Sequence, residues 1–129
     1  MPTKQTKTTQ LTIPLTALSV GPHGPFTSPV LPSTLVGYEI DLTNDANWPA
    51  SGDVITLTIE QTNDGTLWQF DAAVTLSGGQ WFADRQRTIP TNTAFWGVSL
   101  DNQGSTTRKI RLSVNVLQAC KLGATINSI

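Results

Sequence analysis

The sequence predicts an all-β protein: a single-domain antiparallel β-sandwich, with an eight-stranded jelly roll as the architecture that suits its strand count. Three observations predict it. Apolar residues recur with period two in one run after another. Turn residues separate the runs at intervals of roughly 8 to 12 residues. No segment sustains a helical period over about ten residues. About seven to nine strands emerge, and an immunoglobulin-like sandwich is the alternative way to arrange them. A length of 129 residues suits one domain with one core.

The pattern is densest over residues 53–82, DVITLTIEQTNDGTLWQFDAAVTLSGGQWF. Ile55, Leu57 and Ile59 alternate with Thr56, Thr58 and Glu60, the mark of a strand with one dry face. Thr62-Asn63-Asp64-Gly65 is a turn, with Asn and Asp to start it and Gly free to take positive φ. Trp68 and Phe70 alternate with Leu67 and Gln69 on the return, so a hairpin follows. Ser77-Gly78-Gly79 marks a second reversal, between residues 73–76 and 80–82. A meander of three or four antiparallel strands is the expectation here.

Before this stretch, residues 1–10 (MPTKQTKTTQ) hold no apolar side chain after Met1, and Lys4 and Lys7 are their only charges. They read as a flexible polar arm, with the sandwich occupying residues 11–129. Leu11, Ile13 and Leu15 alternate with Thr12, Pro14 and Thr16; Pro14 cannot donate to a ladder, so this strand belongs at a sheet edge or turns its amide side outward. Gly21, Pro22, His23, Gly24, Pro25, Pro29 and Pro32 make the next stretch a rigid, proline-studded loop. Val36, Tyr38, Ile40 and Leu42 form a strand whose other face carries Gly37, Glu39 and Asp41. Residues 44–52 are a polar loop around Trp48-Pro49.

After the meander, residues 83–93 read as loop, and Trp96, Val98 and Leu100 set the phase of a strand over residues 94–101. Ile110, Leu112, Val114 and Val116 define the last strong strand, opposite Lys109, Arg111, Ser113 and Asn115. The tail after Ala119 has a mixed pattern and no assigned element.

Composition narrows the function. Charged residues make up 13 % of the chain and the formal net charge is -1. A nucleic-acid binder needs a basic surplus to neutralise phosphates, and none is present. Apolar residues, at 38 %, fall in periodic runs, which argues against disorder. The one cysteine, Cys120, rules out an internal disulfide. Residues 11–20 are too polar for the core of a signal peptide, and no run approaches the roughly 20 apolar residues of a membrane helix. A soluble protein made in a cytoplasm is expected.

No residue set points to catalysis, a cofactor or a metal. His23 is the sole histidine and lies among Gly and Pro residues, where a solvated loop side chain is the default. One His and one Cys do not make a zinc site. Cys120 reads as a buried, inert thiol. Glu39 and Asp41 share a strand face, as paired glycosidase acids do, but a solvated outer face is roughly nine times the commoner case. Asp45 and Asp64, with their Asn neighbours, fit ordinary turns better than calcium loops. Arg85 with Arg87, and Arg108 with Lys109 and Arg111, are interface charges or, by default, solvated strand faces. Of the four tryptophans, Trp68 and Trp96 are in phase with apolar neighbours and read as core. Trp48 and Trp81 read as exposed, and serve as protein-docking anchors or sugar platforms.

The threonine-rich start MPTKQTKTTQ, the strand pattern from TLVGYEIDL through VITLTIEQTNDGTLWQF to RKIRLSVNVL, and the lack of a catalytic set resemble one family. It is the jelly-roll cement or decoration proteins of tailed bacteriophages, which sit on HK97-like shells. The QTNDGTLW hairpin, Gln61 to Trp68, is similar to turns of phage virion β-domains. The resemblance implies a structural, non-enzymatic virion protein. It would be made in the host bacterial cytoplasm, carried on the capsid surface as a homodimer or homotrimer, and bound to the major capsid protein, with no nucleic-acid or membrane partner. Under it, the interface candidates are Lys4, Lys7, Pro22, His23, Pro25, Trp48, Trp81, Arg85 and Arg87. The alternative is a carbohydrate-binding or tail-fibre receptor-binding module, with a glycan against Trp48 or Trp81.

Overall fold

The computed structural model of the chain describes residues 8–32, 35, 37–79, 87–88 and 106–128. Among them run eight strands: β1 (Thr8–Leu18), β2 (Gly21–Thr27), β3 (Tyr38–Asn44), β4 (Asp53–Thr62), β5 (Gln69–Ser77), β6 (Arg87–Thr88), β7 (Lys109–Val116) and β8 (Cys120–Ser128). They form two four-stranded antiparallel sheets, ordered β1-β8-β3-β6 and β2-β7-β4-β5. The first strand pairs with the last, the second with the seventh, the third with the sixth and the fourth with the fifth. That is one long hairpin of strand pairs, rolled until its two sheets face each other. The all-β sandwich agrees with the periodicity, and the strand order is compatible with a jelly roll.

The core is the inward set of each alternating strand. Ile55, Leu57 and Ile59 of β4 and Ile110, Leu112, Val114 and Val116 of β7 come from one sheet. Tyr38, Ile40 and Leu42 of β3 and Leu122, Ala124 and Ile126 of β8 come from the other, and all of these side chains are buried. In register, Ile55, Leu57 and Ile59 oppose Val116, Val114 and Leu112, so a slip of one residue would turn every one of them to solvent.

Several expectations change at the sheet edges. The arm expected over residues 1–10 gives way to strand at Thr8, which pairs with Ser128; residues 1–7, with Lys4 and Lys7, lie outside the described residues. β1 is an edge strand, as Pro14 requires. A bulge between Ile13 and Thr16 shifts its phase, so Leu15 is exposed and Leu18 is buried instead. The stretch expected to be a proline loop is the edge strand β2, whose cis Gly24-Pro25 sits in a bulge between His23 and Phe26. Both prolines are tolerated because an edge position and a bulge each spare a ladder donor.

The tail after Ala119 is β8, hydrogen-bonded to β1 on one side and β3 on the other. Cys120 opens that strand and is buried, as expected. The hairpin of β4 and β5 is as expected, but β5 is one strand from Gln69 to Ser77, and β4's other neighbour is β7. The third meander strand at residues 80–82 and the strand at residues 94–101 lie outside the described residues, as do Trp81, Arg85 and Trp96.

Gly78 closes the β5 turn against the preceding loop: its N–H donates to Gly52 O at 2.6 Å, and Gly79 N–H donates to Pro49 O at 2.8 Å. A Cβ on Gly78 would stand 2.5 Å from Ser51 Cα and collide with backbone on both sides of it. Backbone cannot swing aside as a side chain does. Gly78→Ala is therefore expected to cost about 1–3 kcal/mol, read as a lower urea midpoint at unchanged m.

Candidate functional site

The tip of the β4–β5 hairpin concentrates what is unusual on this surface. Asp64 organises the turn. Its Oδ1 accepts the N–H groups of Thr66 and Leu67, each at 2.8 Å, and the Thr62 hydroxyl at 3.1 Å. Gly65 donates to Thr62 Oγ1 at 3.0 Å and takes a φ of 82°, the left-handed conformation its position needs. The backbone donors of Leu67 and Thr66 hold the Asp64 carboxyl at a pKa of about 2, against 3.8 ordinarily. The Oδ1 atom is thus committed to the turn, the role its Asn-Asp-Gly setting suggests.

That shift has a sign that can be tested. The folded carboxyl titrates below the unfolded one, so its stabilisation is full above about pH 4 and drains away as pH falls towards 2. Asp64→Ala should lower Tm at neutral pH and remove this part of the acid sensitivity. Thermal melts of both proteins between these pH values measure it, and parallel pH profiles would refute the assignment.

Beyond the turn, a stack joins β4 and β7 to Trp68, the residue just before β5. Arg111 on β7 donates from Nε and Nη2 to both carboxylate oxygens of Glu60 on β4, at 2.9 and 3.2 Å. The same guanidinium lies 4.3 Å from the centroid of the Trp68 ring. Fork and ring fix each other's orientation: the bidentate pair sets the guanidinium plane, and the plane covers the indole. Trp68 is half-buried under Arg111 rather than part of the core. Leu67 and Phe70 flank it with 72 % and 68 % of their surface exposed, the largest exposures among the described large apolar residues. Phe70 turns outward because a bulge at Asp71 puts it opposite Glu60 instead of in line with the inward residues.

The other basic candidate goes inside. Arg108 is fully buried, and its Nη2 donates to Pro32 O at 2.6 Å and Leu35 O at 3.3 Å. Burial pulls its pKa below the usual arginine value. It is a clamp on the segment after β2, not a solvated strand residue.

No family model, curated protein or solved structure matches this chain.

The remaining candidates resolve individually. Trp48 was expected at the surface and is buried, its Nε1–H donating to Ser77 O at 3.2 Å. His23 is a half-buried strand residue, and its Nε2–H donates to Ser19 O at 2.6 Å. Pro22 and Pro25 stand exposed on edge strand β2. Arg87 opposes Leu42 in register on β6; its side chain lies outside the description. Asp41, expected on a solvated face, is buried and accepts Asn127 Nδ2–H at 3.0 Å, while the Glu39 side chain is not among those described.

A shallow pocket of about 240 Å³ opens at one end of the sandwich, lined by Ala17, Leu18, Asn47, Ala119, Cys120 and Lys121. Burial, and then the negative charge of Asp45, push the Cys120 thiol up, so it is not a thiolate nucleophile at neutral pH. Asp45 itself accepts Asn47 N–H at 2.9 Å and pairs with Lys121 at 3.5 Å. Among the described residues no three metal-binding side chains converge, and no helix is long and apolar enough to cross a membrane.

Proposed function

We propose that this chain is a structural protein of a phage virion, a cement or decoration protein that binds the outer surface of the capsid and stabilises the shell. The observation that carries the reading is the hairpin tip. Leu67 and Phe70 are held out in solvent on either side of a rigid Trp68–Arg111–Glu60 stack. Large apolar side chains fixed in place around an aromatic–arginine centre are what a protein-docking surface requires. Both Glu60 oxygens are held by Arg111 and Asp64 Oδ1 by its own turn, so what the tip presents is chiefly shape and apolar area. Modest affinity at one such tip suffices, because attachment at many lattice points multiplies it.

The glycan reading rested on exposed Trp48 or Trp81. Trp48 is inside, and a sugar face cannot stack on it without unpacking the loop, so the reading now rests on Trp81, which lies outside the described residues.

Sedimentation of native lysate, with mass-spectrometric copy number, tests the proposal. Co-migration with capsids at a fixed ratio to the major shell protein is expected, and its loss in a Leu67→Asp/Phe70→Asp variant that keeps its β spectrum. A chain that stays with small soluble species refutes the virion reading. A few copies per particle would move it to the tail or a fibre and refute the cement reading.

A further inference from the structure

We propose that Asp64-Gly65 is a latent self-modification site: Asp64 converts to isoaspartate when the hairpin tip opens, and the Thr62 hydroxyl holds that reaction off in the folded chain. This is the one Asp-Gly pair in the sequence, and Asn-Gly does not occur. Every other aspartate is followed by a residue that carries a side chain. Glycine leaves the next amide nitrogen uncrowded, so that nitrogen can approach the carboxyl carbon of the aspartate before it. Gly65 is present for its backbone: its φ is 82°, and a Cβ there would meet nothing within 4 Å. The turn therefore requires the very residue that makes the preceding aspartate reactive.

The reaction needs no partner but water. Gly65 N attacks Asp64 Cγ, so the N–Cγ bond forms and the Cγ–OH bond breaks. The hydroxyl leaves with the amide proton as water, and a five-membered imide remains. Water then opens the imide at one of its two carbonyl carbons. Opening at Cγ restores aspartate; opening at the main-chain carbon routes the backbone through Cγ and gives isoaspartate. Nothing is oxidised or reduced, and the mass returns to its starting value.

In the folded tip one hydroxyl holds both reacting groups. Gly65 N–H donates to Thr62 Oγ1 at 3.0 Å, and Thr62 Oγ1–H donates to Asp64 Oδ1 at 3.1 Å. The N–H groups of Leu67 and Thr66 pin the same Oδ1, each at 2.8 Å. Attack thus requires the Gly65 nitrogen to leave its acceptor and the carboxyl to turn out of three hydrogen bonds. Those bonds also favour the ionised form, and a carboxylate has no hydroxyl to lose. Thr62 is itself buried, and the Thr107 hydroxyl donates to the Asn63 carbonyl, which anchors the turn from the segment before β7. Isoaspartate would insert a methylene into the turn and displace the carboxylate, so the Thr66 and Leu67 amides would lose their acceptor. Leu67 would then lose its fixed position, whatever the tip docks on.

Fragmentation mass spectrometry of the tip peptide, backed by isoaspartyl methyltransferase labelling, measures the conversion at about pH 5, where the neutral acid is the reactive form. The folded wild type should isomerise at least about tenfold more slowly than the same chain unfolded in urea, since the neutral fraction falls about tenfold per unit of pKa. Thr62→Val keeps the buried shape without the hydroxyl and should approach the unfolded rate, while Thr62→Ser keeps the hydroxyl and should stay slow. Circular dichroism establishes that each variant is folded. The wild-type comparison stands by itself if the valine variant does not fold. A folded wild type that isomerises as fast as the unfolded chain overturns the proposal. So does an unfolded chain that forms no isoaspartate at Asp64, or a folded Thr62→Val that is as slow as wild type.

Discussion

Arg108→Ala should lower stability by about 2–5 kcal/mol, enough to take roughly 10 °C off Tm. Opposing effects have to be weighed to reach that sign. The guanidinium is sealed from water, and its Nε and Nη1 find no hydrogen-bond partner. An arginine in that position carries a desolvation penalty, and replacing a buried charge with apolar volume is often neutral or better. Alanine does not replace the volume, however. It leaves a void the size of a long side chain and deprives the Pro32 and Leu35 carbonyls of their shared donor. The backbone of residue 108 would still hold Leu31 N–H at 2.8 Å, so the segment after β2 would loosen at its far end first.

Arg108→Met separates the two contributions. Methionine fills most of the space and removes the unpartnered charge, so its cost should be below about 1.5 kcal/mol. Urea unfolding of the wild type and both variants decides the matter. If Arg108→Ala unfolds at the wild-type midpoint, the clamp does not hold the segment. If Arg108→Met is as damaging as alanine, the hydrogen bonds outweigh packing.

Most of the sandwich was legible because a half-buried strand writes its burial directly into a two-residue period. β3 and β7 carry their apolar residues in unbroken alternation, β4 does so from Ile55 to Ile59, and all turn them to the core. β8 was passed over although Cys120, Leu122, Ala124 and Ile126 alternate too, since Lys121, Gly123 and a small Ala124 dilute the signal. β2 was hidden for a different reason: Pro22, Gly24 and Pro25 favour loop locally, and only an edge position with a bulge makes them acceptable in a strand.

The site was less legible than the fold, because it depends on phase and on distant pairs. One extra residue at Asp71 turns Phe70 outward, and nothing local announces a bulge there. Arg108 and Arg111 are three apart in one basic group, yet one clamps carbonyls inside and the other stacks on Trp68 outside. Their parity held the clue: Arg108, just before β7, is in phase with Ile110 and Leu112, and Arg111 is not. Their partners Pro32 and Glu60 lie 76 and 51 residues away in sequence, beyond the reach of any local pattern.

Trp48→Ala is the second large effect, at about 3–5 kcal/mol, and Trp48→Phe should cost about 1–2. The indole is buried at 8 % exposure, and its N–H reaches Ser77 O across 29 residues. Around it the loop is tied by Trp48 N–H to Asp45 O at 3.0 Å and by the Gly78 and Gly79 amides to Gly52 and Pro49. The ring is therefore the plug that joins the β3–β4 loop to the end of β5. Alanine leaves that plug empty, while phenylalanine keeps most of its apolar volume and gives up only the Ser77 bond. Since Ser77 stands exposed, water takes over as donor there and the loss stays small. The pair of variants also guards against a false functional reading. A binding defect in Trp48→Ala alone would report a loosened loop. A defect that persists in a folded Trp48→Phe, with the melting temperature nearly restored, would mean that the indole itself touches a ligand and that the buried placement does not hold in solution.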